Sequence, residues 1–418
     1  MIAFADVSAA LALDVAAALG FGIARRALWS GDRCTWFDGV PVGPEQSRST
    51  SANVGCDVYG GSAGIGLFLA QLVARADDPA LRRTARGALR QALASAAAPN
   101  AAPLGFYAGT AGAAAAVVLG GLALRDDELV ERGRALLLTA PLASDDPHAS
   151  DLVGGTAGTL VALVVAAEAL GDGELLARAH EAARALIGLA HRNADGSLSW
   201  TTMTDQLADL TGFAHGSAGN AHALLALHAL APDPAYADAV NGALAYERGT
   251  FSAAYANWPD YRWFGTGPKE PGYSAAWCHG AVGIVRNRLL AESLGFDAGA
   301  DADVALRTTA AQAERLLADA SSDTTLCHGL FGAVDALIDG VRAGRSEHVL
   351  LIARCASAAA ERHHFGELPW PSGLLSREPI DGLMMGHAGV GHVYLRLADP
   401  SLPSLLAPGT PPPGTQRR

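Results

Sequence analysis

Seven Gly-x-x-Gly steps set the period of this chain: Gly61/Gly64, Gly109/Gly112, Gly155/Gly158, Gly216/Gly219, Gly280/Gly283, Gly329/Gly332 and Gly386/Gly389. The second glycines lie 48, 46, 61, 64, 49 and 57 residues apart, and each opens an apolar Ala/Leu-rich run of helical length. Such pairs also arise by chance in a chain with 48 glycines among 418 residues. Their placement, not their number, carries the signal. A repeat of this length is one supersecondary unit that cannot bury its apolar face alone, so neighbours must stack.

The runs 63–76 and 111–124 are apolar nearly all round, as in helices buried on every side. Between the runs lie amphipathic stretches with charge on one face, at 79–95, 126–138, 173–191, 233–248, 301–320 and 346–364. A further helical pattern, 7–28, precedes the first glycine pair. The spacing therefore predicts an all-α chain of about fourteen helices, seven inner and seven outer, with strand-like alternation nearly absent. An open helical array needs polar end caps, yet the last repeat, 385–397, is as apolar as the first. The expectation is a closed α/α toroid whose inner helices gather their N-termini at one mouth, where free N–H groups favour anions. One domain is expected over 1–400, followed by a Pro-rich disordered tail over 401–418.

Two cysteines hold the same register. Cys278 and Cys327 each stand two residues ahead of the first glycine of their pair, in consecutive repeats, and packing alone has no need of cysteine twice at one position. His328 follows Cys327 directly, and neighbours in a strand or helix diverge, so an irregular turn freed by Gly329 must aim both at one metal. Two thiolates and an imidazole are ligands of zinc rather than of magnesium or calcium. Three protein ligands leave a fourth position open, as catalytic zinc sites do. The residue just before each first glycine reads Gly60, Ala108, Gly154, His215, His279, His328 and Met385, which puts His215 and His279 at the same mouth. Asp151, four residues ahead of Gly155, reaches it if its loop folds inward, although an Asp before a helix is most often an N-cap.

The net charge of −12 argues against nucleic acid or an anionic membrane as default partner. Five cysteines, at 34, 56, 278, 327 and 355, are odd in number and too sparse for a disulfide framework, which fits a reducing cytoplasm. The N-terminus lacks the basic region of a signal peptide. The most apolar internal segments, 113–124 and 160–170, are too short to span a bilayer or carry Glu168. Long loops interrupt the pattern at 193–212, 249–276 and 364–382. The second of these is rich in aromatic residues and leads into Cys278, so it either walls a peptide site or covers the outer edge of the ring.

The stretches Gly212-Phe213-Ala214-His215-Gly216, Trp277-Cys278-His279-Gly280 and Cys327-His328-Gly329, with the closing 382–391, resemble the lanthionine synthetase C-like cyclases across roughly 59–399. That resemblance implies a fourteen-helix toroid holding one Zn2+ through Cys278, Cys327 and His328. It implies addition of cysteine thiols of a dehydrated precursor peptide to dehydroalanine or dehydrobutyrine, closing thioether rings, with acid or base roles for His215 and Asp151. On chemical grounds His215 is the first choice to protonate the enolate, and His279 to aid it or orient the zinc ligands. His279 stands where stand-alone cyclases of the family often carry Tyr, and is more like the cyclase domains of fused synthetases. The Arg that some members carry shortly before Trp-Cys is absent. A separate dehydratase or kinase/lyase partner is expected, and a membrane-associated complex is allowed although no transmembrane segment is seen. A glutathione-binding or glutathione-adding protein, a non-catalytic scaffold, a prenyltransferase β-subunit and a toroid glycosidase are the competing readings.

Overall fold

The computed structural model describes residues 8–42, 48–98, 101–263, 269–372 and 379–410, with 38–42 and 48–52 as backbone. Fourteen α-helices form among these residues. The inner seven are α2 (Ser62–Val73), α4 (Thr110–Leu124), α6 (Thr156–Leu170), α8 (Ser217–Leu230), α10 (Ala281–Ser293), α12 (Leu330–Arg342) and α14 (His387–Ala398). The outer seven are α1 (Ala9–Arg26), α3 (Pro79–Ala96), α5 (Asp127–Thr139), α7 (Gly173–Gly188), α9 (Pro234–Thr250), α11 (Gly299–Ala318) and α13 (Val349–Ala359). Each inner helix touches the next, and α14 touches α2, so the ring closes. The helix before the first repeat, α1, packs on α14, so the two ends of the chain seal one seam.

Outer and inner helices start differently because they face different surroundings. Asp78, Asp126, Asp172 and Asp233 cap α3, α5, α7 and α9, accepting hydrogen bonds from first-turn N–H groups that helix geometry leaves unpaired. Every inner helix instead opens on the first glycine of its pair, without a side-chain cap. The second glycine lies one turn in. A Cβ there would collide with the carbonyl oxygen six residues earlier in all seven repeats, Val58 O for Gly64 through Leu383 O for Gly389. The spacing of the sequence motif is thus a steric requirement of the turn that leads into each inner helix.

Those turns are stitched to one another by main-chain hydrogen bonds. Tyr59 N–H donates to Tyr107 O (2.9 Å), Tyr107 to Val153 O (3.2 Å), Leu152 to Ala214 O (3.2 Å), and Ala214 to Cys278 O (3.2 Å). Trp277 donates to Cys327 O (2.9 Å), Cys327 to Met384 O (3.0 Å), and Met384 to Tyr59 O (2.8 Å). The belt closes on itself at the mouth and sets all seven loops at one height.

Three features depart from the expectation. Short two-stranded hairpins occur at Leu28–Ser30 with Arg33–Thr35, Phe37–Val42 with Arg48–Asn53, and His191–Arg192 with Leu198–Ser199. The first turns through Gly31 at φ 63°. The outer stretch 346–364 is one continuous helical path in three forms: a 3-10 turn, α13, and a π-helical turn over Ala360–Phe365.

The tail expected to be disordered from 401 onward is folded over 401–410, while 411–418 lie outside the described residues. Leu402, Leu405, Leu406 and Ala407 are buried in the middle of the ring. Their segment feeds carbonyls to inner-layer donors: Arg342 to Leu402 O (2.8 Å), Tyr107 Oη to Leu405 O (2.8 Å), Trp277 Nε1 to Leu406 O (3.0 Å) and His222 Nε2 to Pro408 O (3.0 Å). Ser404 joins a buried ionic network in which Arg286 reaches Asp335 (2.8 Å) and Asp339 (2.9 Å), and Arg396 pairs with both carboxylates. Each buried charge there has an opposite partner, as burial demands.

Candidate functional site

At the mouth, the belt places Cys278 and Cys327 on adjoining loops. Gly280 takes φ 82°, a conformation open to glycine, and turns the chain directly after His279 into α10. Gly329, in contrast, has an ordinary φ of −98°; it supplies room rather than conformational freedom, since a Cβ would strike Thr325 N and the Asp323 carboxylate.

The two thiols influence each other: Cys327, with positive charge from Arg262, His215 and His328, brings the Cys278 thiol below its ordinary value against the opposing effect of burial. Cys278 and burial push Cys327 up. Tyr59 Oη also donates to Cys327 Sγ, at 3.1 Å. His328 Nδ1 is held on the Asp323 carboxylate, which raises its basicity, and its ring is 40% exposed. Among the described residues, no three His, Cys, Asp or Glu side chains lie close enough together to share a metal ion in this geometry. Cys327 Sγ takes the Tyr59 hydroxyl while His328 leans on Asp323.

His215 and Asp151 come together. His215 Nδ1 bonds Asp151 Oδ2 at 2.6 Å, so the loop of the third repeat does fold inward. Asp151 also accepts from Gly154 N–H at 2.7 Å, a contact within the turn ahead of α6 rather than a cap of the helix, which opens on Gly155 without one. Burial lowers the basicity of His215, but the Asp151 carboxylate, with a smaller contribution from Cys278, leaves it above the ordinary histidine value. His279 stacks on His215 with ring centres 6.0 Å apart. It is 1% exposed, among the described residues neither ring nitrogen has a hydrogen-bond partner, and burial pushes it down to about 3. The 3.6 Å approach of Asp260 to His279 is therefore not an ion pair at neutral pH; Asp260 belongs to Arg262, which grips it with bonds of 2.7 to 3.1 Å.

Two residues of the site escaped the reading of the sequence. Arg262 comes from the aromatic loop, pinned by a bridge to Gln206 and by Asp260, itself bridged to Gly272, and its charge is felt by both cysteines. No motif marks it. Tyr59 had a signal: two residues ahead of Gly61, it holds the register of Cys278 and Cys327.

A closed α/α toroid with paired thiols, an Asp–His dyad and an Arg at one mouth defines the class. The model of the lanthionine synthetase C-like protein family matches residues 52–408, and the chain belongs to that family. Among solved structures, nisin cyclase is similar with a TM-score of 0.62 at 17% identity, covering 82% of this chain and 89% of that one. A GH76 alpha-mannanase of Bacteroides thetaiotaomicron gives a TM-score of 0.50 at 11% identity, covering 94% and 96%. These likenesses concern the toroid. No curated protein matches the sequence.

Proposed function

We propose that the protein is a zinc-dependent cyclase that adds cysteine thiols of a dehydrated peptide to dehydroalanine or dehydrobutyrine, closing thioether rings. The observation that carries this reading is the Cys278–Cys327 pair, brought to adjoining loops of the belt in one register. Membership of the lanthionine synthetase C-like family and likeness to a nisin cyclase support it.

The donor chemistry fits zinc. Two soft thiols sit side by side, and Asp323 holds His328 by Nδ1, leaving Nε2 for a metal in the way carboxylates orient zinc-bound histidines. Cys278, Cys327 and His328 would hold the ion, which supplies an open position where a thiol loses its proton near neutral pH. The remaining steps belong to the chain. As the substrate thiolate adds to the β-carbon, negative charge grows on the acceptor carbonyl oxygen, and Arg262 supplies positive charge at this end of the ring. His215, kept basic by Asp151, carries the proton that the resulting enolate takes at Cα. His279 stays neutral and offers an N–H without a net charge. The carboxylates at the mouth, Asp151, Asp260 and Asp323, are each tied to a histidine or arginine, which disfavours the paired free carboxylates of a glycosidase. The reading requires a dehydrating activity that supplies the dehydro residues. Among the described residues no helix is long and apolar enough to cross a membrane.

The test is a synthetic peptide with one dehydroalanine and one cysteine, incubated with the full chain and zinc, with and without glutathione. Cyclisation appears as loss of the free thiol without change of mass. The His215→Ala variant is expected to keep its metal and slow by about 10²-fold or more. A wild-type rate no faster than the peptide alone would refute the proposal, and addition of glutathione in place of ring closure would redirect it to the competing reading.

A further inference from the structure

A mouth that delivers a thiolate to a dehydro residue also exposes that residue to the protein's own sulfurs. If Cys327 Sγ bonded the β-carbon and Cα took a proton, the peptide would end as a thioether on the enzyme. Some feature of the site must separate the substrate thiol from the resident ones.

Tyr59 is placed to do this. It comes from the first repeat yet shares the ring level of the two cysteines, and the main chain fixes it on both sides: its N–H donates to Tyr107 O at 2.9 Å and its carbonyl accepts from Met384 N at 2.8 Å. From this anchored position its hydroxyl donates to Cys327 Sγ at 3.1 Å. Cys278 has a different environment, with Arg262 and His215 near it.

We propose that Tyr59 is a positioning residue that makes the two sulfurs inequivalent, quieting Cys327 as a spectator so that the incoming thiol is the nucleophile. The inference rests on the metal-thiolate reading above. A hydrogen bond into an ionised acceptor is stronger than one between neutral groups, and it draws lone-pair density from sulfur, which lowers both donation to a metal and attack on carbon. Partners of this kind around ligating groups change metal affinity or activity by about 10- to 100-fold.

Tyr59→Phe removes the O–H alone and keeps the ring and the belt. Full-length wild type and variant, loaded with Co2+ in place of zinc, are compared by absorption. The wild type is expected to give sulfur-to-cobalt charge transfer, and the variant the same band at longer wavelength, because a sulfur without its hydrogen bond yields an electron more readily. Both are then treated with N-ethylmaleimide and the labelled cysteines mapped by mass spectrometry. Cys327 is expected to label about tenfold faster in the variant, with Cys278 little changed. An unshifted band with unchanged Cys327 labelling overturns the role of Tyr59 and leaves the metal site standing. A wild type without charge transfer overturns both.

Discussion

Leu406 offers the sharpest view of what holds the ring together. Its side chain is 0% exposed in the middle of the inner layer, its amide donates to Ser404 Oγ at 3.0 Å, and its carbonyl accepts from the indole of Trp277 at 3.0 Å. Trp277 in turn precedes Cys278 and stacks edge-on against Tyr107, with ring centres 4.8 Å apart. Leu406→Ala removes buried carbon and leaves a cavity in a close-packed centre, at a cost of about 3 kcal/mol. Unfolding entropy for a chain of this size is about 0.9 kcal/mol/K, so the melting temperature should fall by about 3 °C. Ending the chain after Asp399 removes Leu402 and Leu405 as well, strips the acceptors from Tyr107, Trp277 and His222, and should lower it much further. Differential scanning calorimetry reads both. A truncated chain melting within about 1 °C of the full one would refute the view that 400–410 is part of the core.

Three further outcomes follow from the same geometry. His222 and His392 are buried neutral, lowered to about 4 and about 3 by burial; unfolded histidine titrates near 6.5, so the unfolded chain gains protons first and stability falls as pH drops from about 6.5 toward 4, by about 1.4 kcal/mol per unit for each. Melts of wild type and His222→Gln at pH 7 and 5 check this, the variant losing less; equal losses contradict it. Gly332→Ala drives a Cβ into Leu326 O and should cost about 2 to 3 kcal/mol, whereas Gly188→Ala, with open space around it, should be neutral or stabilising, as paired melts will show. Asp151→Asn removes the carboxylate that keeps His215 basic, so cyclisation near pH 7 should drop about tenfold or more, its pH profile moving to lower pH with metal content unchanged; an unmoved profile removes the dyad from proton transfer.

The ring was legible because one steric demand recurs seven times. Only glycine tolerates the carbonyl contact one turn into each inner helix, so the motif that builds the fold also writes its period. The same register revealed which histidines face the mouth, and it extended to Tyr59, which a reading confined to Cys and His passes over. Arg262 had no such mark: its position depends on Asp260, on a bridge within its own loop and on one to Gln206 in the preceding loop, contacts that carry no periodicity. The tail misled through composition. Its prolines suggest disorder, yet Leu402, Leu405 and Leu406 find burial in a ring centre that exists after the repeats have closed. The first hairpin, Leu28–Ser30 with Arg33–Thr35, was hidden because strands of three residues are too short to display alternation, and it is held by packing Trp29 and Cys34 against Gly87.

The central claim concerns two sulfurs and one metal, and metal content tests it most directly. Full-length protein purified from zinc-containing medium and analysed by plasma mass spectrometry should carry about one zinc per chain, and the Cys278→Ala/Cys327→Ala double variant close to none while still folding to a helical ring. Equal zinc in the two proteins, or a wild type that stays empty after exposure to zinc, would contradict it.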